Sequence, residues 1–335
     1  MVVDKNSELI KNGFINMPID PNINLVEEIN RIKKEKNAVI LAHYYQENEV
    51  QDIADYIGDS LGLSQKAAET EAEIILFAGV HFMAETAKML SPNKKVLIPD
   101  LMAGCSLADS CPPDKFEKFI KDHPNHTVVT YVNTTAAIKA LSDVCCTSSN
   151  AFQIVNSFPK DTPLIFAPDR NLGNYIKRIT NRENMVVWDG ACHVHEEFSL
   201  ERILDIKKEN PNAKLISHPE CQKPILLVSD FIGSTSELLK FVQTDSNKEF
   251  IVATEWGILH QMQKACPDKT FIAAPPKDSS CGCNECSFMK LITMKKIYLT
   301  LKYELPEIII EEALIKEAVK PIQRMLDLSK QLGII

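Results

Sequence analysis

The sequence predicts an α/β protein built from three homologous three-layer α/β/α domains with parallel sheets, arranged about a pseudo-threefold axis. Three observations predict it. Short, continuously apolar runs alternate with helix-like segments, and strands apolar on both faces belong to parallel sheets covered by helices. Landmarks recur along the chain: His43, Tyr131 and His218 are 88 and 87 residues apart, and so are the aspartates at 55, 143 and 230. Each recurring strand also ends in polar side chains, at the edge where parallel-sheet proteins bind ligands. A threefold arrangement brings those three edges together.

Taken in order, residues 1–37 form a polar lead whose segment Leu25 to Ile32 has the spacing of an amphipathic helix. The first domain is expected over 38–125, the second over 126–212 and the third over 213–300, with a helical tail over 301–335. The first strand of each is Ala38 to Ala42, Val128 to Thr130 and Lys214 to Ser217. A second buried strand follows at Ile74 to Ala78, Leu164 to Ala167 and Phe250 to Ala253, and a third begins near Lys95, Asn184 and Thr270. Helical segments are expected over Val50 to Tyr56 and Leu61 to Glu71. The tail from Glu311 to Leu332 reads as a helix interrupted at Pro321. A period of this length, held over several landmarks, marks repeated small domains rather than a solenoid.

Composition narrows the function classes. The chain has 335 residues, 45% hydrophobic and 24% charged, with a net charge of −8 from 37 basic and 45 acidic residues. No basic stripe with interleaved aromatics supports nucleic-acid binding. No apolar run reaches the ~18 residues of a membrane span, and the first residues lack the order of a signal peptide, so a cytoplasmic location is expected. Ten cysteines in such a protein point to buried thiols or metal ligands rather than disulfides.

Three groups of residues can carry chemistry. Cys105, Cys192 and Cys286 follow the third strand of their repeats, 87 and 94 residues apart. Three equivalent thiolates suit a [4Fe–4S] cluster with one iron left open, the arrangement Lewis-acid catalysis needs. Alternatively, Cys281, Cys283 and Cys286 form part of a zinc site and the other two are loop thiols. Second, Ser60, Ser148 and Thr235 stand just before helical runs. They read either as ordinary N-caps or as three helix starts converging on an anion. Third, His43, Tyr45, Tyr131, Asn133, His195, His218 and Glu220 lie at strand exits. They supply proton carriers, an orienting amide and a carboxylate, with Glu220 the best general-base candidate. Asp100, Asp169 and Glu255 are weaker candidates that cap helices or pair with the edge.

Several stretches together resemble the quinolinate synthase family of de novo NAD biosynthesis. They include Leu41 to Gln46, Gly58-Asp59-Ser60, Phe82 to Lys88, Met102 to Ala108, Tyr131 to Thr134, Ala167-Pro168-Asp169 and Asn171-Leu172-Gly173. Trp188-Asp189-Gly190 with Cys192 to His195, His218 to Cys221, and Met289-Lys290 complete the set, in unbroken order from about Ala38 to Thr293. The resemblance implies three α/β domains around one central [4Fe–4S] cluster held by Cys105, Cys192 and Cys286. It implies a transferase-type condensation with dehydration, in which iminoaspartate (iminosuccinate) and dihydroxyacetone phosphate give quinolinate, phosphate and water. Residues matching the family's substrate contacts are His43, Ser60, Tyr131, Val132, Asn133, Ser148, His218, Pro219, Glu220 and Thr235. Tyr45 and Glu220 match its proton-handling pair, with His195 beside them, and Ser60, Ser148, Ser234 and Thr235 its phosphate and carboxylate cradle.

One departure stands out. Family members often have cysteines three apart before the last ligand and a proline after it, whereas here Cys281 precedes Cys283 by two and Ser287 follows Cys286. A regulatory disulfide among these thiols is therefore not expected, while Phe288-Met289-Lys290 keeps Cys286 in the ligand position. The remaining alternatives are a [4Fe–4S] hydro-lyase acting on a hydroxy acid and a zinc-stapled binding module. Expected partners are the small-molecule substrates, with aspartate oxidase or aspartate dehydrogenase as the source of the labile imine. No nucleic acid or membrane partner is expected, and the chain is a monomer or homodimer.

Overall fold

The computed structural model describes residues 8–278 and 285–335. These form two compact units, one of Met1–Cys105 with Ser287–Val319 and one of Ser106–Cys286 with Lys320–Ile335. The helix Leu25–Glu35 precedes the first sheet. Asn24 caps it by accepting from the Glu27 N–H, Glu27 and Glu28 sit in its first turn, and Ile29 and Ile32 face inward.

The sheet of the first unit contains β1 (Ala38–His43), β2 (Tyr56–Gly58), β3 (Ile74–Ala78) and β4 (Lys95–Leu97) in the order β2-β1-β3-β4. The second unit holds two sheets of the same pattern. One contains β5 (Thr127–Tyr131), β6 (Val144–Cys146), β7 (Leu164–Ala167) and β8 (Met185–Val187) in the order β6-β5-β7-β8. The other contains β9 (Lys214–Ser217), β10 (Phe231–Ile232), β11 (Glu249–Ala253) and β12 (Thr270–Ala273) in the order β10-β9-β11-β12. All pairings are parallel. β3 is buried along its whole length and β1 in all but its first residue, because helices pack on both.

In every sheet the chain leaves the first strand to one side and returns on the other. The crevice between first and third strands is therefore a topological switch point. Ala42 pairs with Ala78, Thr130 with Ala167 and Ser217 with Ala253 at these three exits. His43, Tyr131 and His218 each follow immediately.

The recurring aspartates have a structural task. Oδ2 of Asp55 accepts from the Ile40 N–H at 2.8 Å, Asp143 from Val128 at 2.7 Å and Asp230 from Leu215 at 2.7 Å. Each aspartate's own N–H returns a bond to the same residue's carbonyl. These carboxylates extend the ladder at the start of the short edge strands β2, β6 and β10. A second recurring bond joins Thr130 to Ser142 at 2.9 Å and Ser217 to Ser229 at 2.7 Å. The first repeat has Ala42 and Ala54 in those places.

Two sequence expectations change. The helix expected over Val50 to Tyr56 runs only Asn48–Ile53, and Tyr56 begins β2, because Asp55 is drawn onto β1. The C-terminal helix is continuous over Glu312–Gln331, with Pro321 inside it. Burial of Ala318, Ile322 and Met325 along one face sustains the helix across the one hydrogen bond that proline removes. The helix Pro113–Asp122, which precedes residue 126, packs with the second sheet: Phe116 joins Val128, Ile138 and Ile165 and meets the Trp188 ring edge-on at 5.6 Å.

Candidate active site

In the second unit, three segments meet at one buried carboxylate. β9 ends at Ser217, and the turn His218-Pro219-Glu220 carries Glu220 inward, where it is 3% exposed. The Tyr131 hydroxyl, at the end of β5, donates to Oε1 of Glu220 at 2.6 Å. The loop after β8 supplies His195 on the short helix His193–Glu196, with Nδ1 3.2 Å from Oε2 of Glu220. That approach lies off the hydrogen-bonding direction, so it is a close polar contact rather than a directed bond. The His195 and His218 rings stack with centroids 4.8 Å apart. Burial pushes the Glu220 carboxyl up, but the adjacent His195 and His218 imidazoles and the hydrogen bond from Tyr131 outweigh it, holding the carboxyl down at about 2.

Backbone geometry sets the His218 ring. Its Nδ1 accepts from the Glu220 N–H at 3.3 Å, leaving Nε2 as the protonated nitrogen of the neutral ring, 3.1 Å from the Ser148 hydroxyl. The first unit repeats the device: Nδ1 of His43 accepts from the Tyr45 N–H at 3.2 Å, and the Tyr45 ring stands edge-on to the imidazole at 4.4 Å. Lys290 donates to the Tyr45 carbonyl at 2.9 Å and Gln46 to the Met289 sulfur at 3.2 Å. The Met289-Lys290 pair thus holds the His43 to Gln46 turn.

The hydroxyl residues fall one or two positions away from the caps. The cap of Ser60–Glu69 is Asp59, and that of Thr235–Thr244 is Ser234, whose capping box with Glu237 uses both its hydroxyl and its N–H. Ser60 and Thr235 are first helical residues, and Ser148 lies two residues before the Asn150 cap of Ala151–Asn156. Asp59 and Glu237 already place carboxylates at two of the three helix starts. Val132 and Pro219 are buried backbone supports, the Val132 N–H donating to the Cys146 carbonyl at 2.8 Å. Oδ1 of Asn133 is buried without a hydrogen-bond partner among the described residues. It is an acceptor available to a ligand N–H or O–H.

Several supporting residues are not among the candidate site residues read from the sequence. The Thr254 hydroxyl, one residue past β11, lies 3.1 Å from Nε2 of His195. Asn171 donates to the Glu220 carbonyl at 3.0 Å and to Glu196, which also binds Arg170 and Gln222. Lys139, fully buried, donates to the carbonyls of Val132 and Thr134 and so fixes the turn between Tyr131 and Asn133.

The thiols divide by burial. Among the described cysteines, Cys105, Cys192 and Cys286 are partly exposed, while Cys111, Cys145, Cys146, Cys221 and Cys266 are buried. Burial pushes the Cys111 thiol up to about 12 and raises those of Cys145, Cys146 and Cys221, which makes them poor thiolate donors. The three partly exposed thiols therefore fit the chemistry of a metal-cluster donor set. Cys192, His195 and Glu220 each offer a ligand atom, and these atoms lie within 4.8 Å of one another. Cys281 and Cys283 lie outside the described residues.

The family model for Quinolinate synthetase A protein (NadA) matches residues 27–327. The chain belongs to the quinolinate synthase family. The quinolinate synthase of Thermosynechococcus vestitus is 59% identical over 313 residues, 93% of this chain and 97% of that protein. Those of Trichodesmium erythraeum and of a Synechococcus species are each 58% identical, over 96% and 89% of this chain and 97% and 93% of theirs. The cluster of Tyr131, His195, His218 and Glu220 lies in the second and third repeats of this family member. No helix among the described residues is long and apolar enough to cross a membrane.

Proposed function

We propose that the protein condenses iminoaspartate with dihydroxyacetone phosphate, giving quinolinate, phosphate and water. The observation that carries this is the buried Glu220 carboxylate, held ionised and bonded to the Tyr131 hydroxyl, in a chain of this family. Cys105, Cys192 and Cys286 would hold a [4Fe–4S] cluster, a reading supported by their partial exposure and by the poor donor quality of the buried thiols. Such a cluster, with one iron free of protein ligands, supplies a Lewis-acid position for an oxygen that must leave.

The protein's own groups handle orientation and protons. Glu220 accepts a proton from substrate carbon or nitrogen, and the Tyr131 hydroxyl, already hydrogen-bonded to it, passes one on. His218 presents an N–H from Nε2 beside Ser148, suited to an anionic oxygen. Asn133 presents its unmatched carbonyl oxygen to the imine or enol hydrogen. His43 and Tyr45 form the equivalent donor pair in the first unit. Ser60, Ser148, Ser234 and Thr235 form the cradle for phosphate and carboxylate groups. The segments 38–125, 126–212 and 213–300, each containing a sheet of the same strand order, are the three domains of this architecture. An aspartate oxidase or aspartate dehydrogenase supplies the imine, in the cytoplasm.

The test is a product assay on protein purified and reconstituted without air. With both substrates, quinolinate and inorganic phosphate are expected in equal amounts. Phosphate release without quinolinate, or neither product from iron-loaded protein, overturns the proposal.

A further inference from the structure

Asp169 lies two residues past the end of β7, and Glu255 two residues past the end of β11. They occupy the same position of two repeats, and both are fully buried. Each divides its two oxygens in the same way. Oδ1 of Asp169 caps the helix Arg170–Thr180 through the Leu172 N–H at 2.7 Å, while Oδ2 accepts from the Cys192 N–H at 3.3 Å. Oε2 of Glu255 accepts from the Gly257 N–H at 2.7 Å, while Oε1 accepts from the Cys286 N–H at 3.2 Å. One oxygen holds the local turn, and the other reaches across to a cysteine some twenty to thirty residues on.

The loop ahead of Cys192 is seated on the same segment. The Arg170 N–H donates to the Gly190 carbonyl at 2.8 Å, and a side chain at Gly190 would collide with Ser110 and the Pro168 carbonyl. The first repeat has Val80 in the corresponding place. There a backbone bond makes a tie, the His81 N–H donating to the Ala103 carbonyl at 2.7 Å, two residues before Cys105.

We propose that Asp169 and Glu255 are positioning residues that aim the thiolates of Cys192 and Cys286 at the cluster by holding the N–H of each cysteine. The proposal rests on the cluster reading above. A peptide fixed at its N–H fixes the direction of the Cα–Cβ bond that carries the sulfur. It also keeps that N–H away from sulfur, and hydrogen bonds to cluster sulfurs are among the determinants of reduction potential and spectrum. When the carboxylate is gone, the N–H is released to sulfur or solvent and both properties change.

The two arms of Asp169 can be separated. Asp169→Ser keeps a good helix cap for the Leu172 N–H but is too short to reach Cys192 as well. Glu255→Gln leaves one acceptor oxygen for two N–H groups. On anaerobic holoenzyme, the measurements are iron release to a ferrous chelator, the electron paramagnetic resonance spectrum of the reduced cluster, and the melting temperature. Iron loss about ten-fold faster than wild type, with shifted g-values, is expected in both variants, the Asp169→Ser melting temperature staying close to wild type. Wild-type rates and spectra in both variants overturn the proposal. So does a lower melting temperature with unchanged g-values and unchanged iron release from the folded fraction, since that is a purely structural role. Wild-type protein that takes up no cluster overturns the cluster reading itself, and this inference with it.

Discussion

The hydroxyl of Tyr131 lies 2.6 Å from Oε1 of Glu220, a contact across 89 residues that joins the first strand of the second repeat to that of the third. In the proposed reaction the two residues act as one proton-handling unit. Glu220→Gln should lower turnover by about 10²–10⁴-fold, the usual contribution of a general base. Tyr131→Phe should lower it less, and the double variant should lose less than the product of the two. Steady-state rates of the three proteins check this. Fully multiplicative losses would show the residues working independently.

His195 is oriented by Thr254. Thr254→Val keeps the shape and removes the hydroxyl 3.1 Å from Nε2. We expect a fall in kcat of about ten-fold, with restoration by Thr254→Ser, and a stability loss of about 1–3 kcal/mol for the buried ring nitrogen left unmatched. Denaturant midpoints and kinetics on both variants measure the two effects separately.

The recurring aspartates are stability elements. Asp143→Ala strips the acceptor from the Val128 N–H at 2.7 Å and should cost about 1–3 kcal/mol. Asp230→Ala does the same to Leu215, and its effect should be of similar size. A shift of the urea midpoint at constant slope is the expected signature.

Glu304 accepts from Lys36 at 2.8 Å and Lys95 at 2.5 Å, and these two hydrogen bonds hold its carboxyl below the ordinary 4.5. Because the folded value is the lower one, the stabilisation is complete above the unfolded value and disappears as pH falls through the folded one. Glu304→Gln should therefore cost something under about 1 kcal/mol at pH 7, as expected of a partly exposed pair. The difference should vanish in strong acid. Thermal melts of both proteins across pH 7 to 2 check the sign, and a penalty that grew on acidification would contradict it.

The parts of the fold that were legible in the sequence are those with strong, redundant signals. Short continuous apolar runs rich in β-branched and aromatic residues, such as Ile74 to Ala78, favour buried strands, and the 88- and 87-residue spacings expose the repeat. β2, β6 and β10 escaped because they have two or three residues each, and β2 and β10 are largely unburied. Their aspartates were visible as landmarks, but a carboxylate standing in for a ladder carbonyl has no composition signature. For Ser60 and Thr235 the cap reading stays open in the sequence, because each has a second good capping residue, Asp59 or Ser234, directly before it. Only the geometry chooses between such neighbours. Thr254 and Lys139 were invisible for a different reason: a threonine after a strand or a lysine in a short helix is ordinary until its partner is known.

The most direct test of the account is the absorption spectrum and iron content of protein prepared without air, compared with Cys105→Ala, Cys192→Ala and Cys286→Ala. The account predicts a brown protein with about four irons per chain, and loss of cluster in each of the three variants while Cys111→Ala and Cys266→Ala retain it. A colourless wild type holding one zinc, or a Cys192→Ala variant that keeps both its cluster and its quinolinate production, would contradict it.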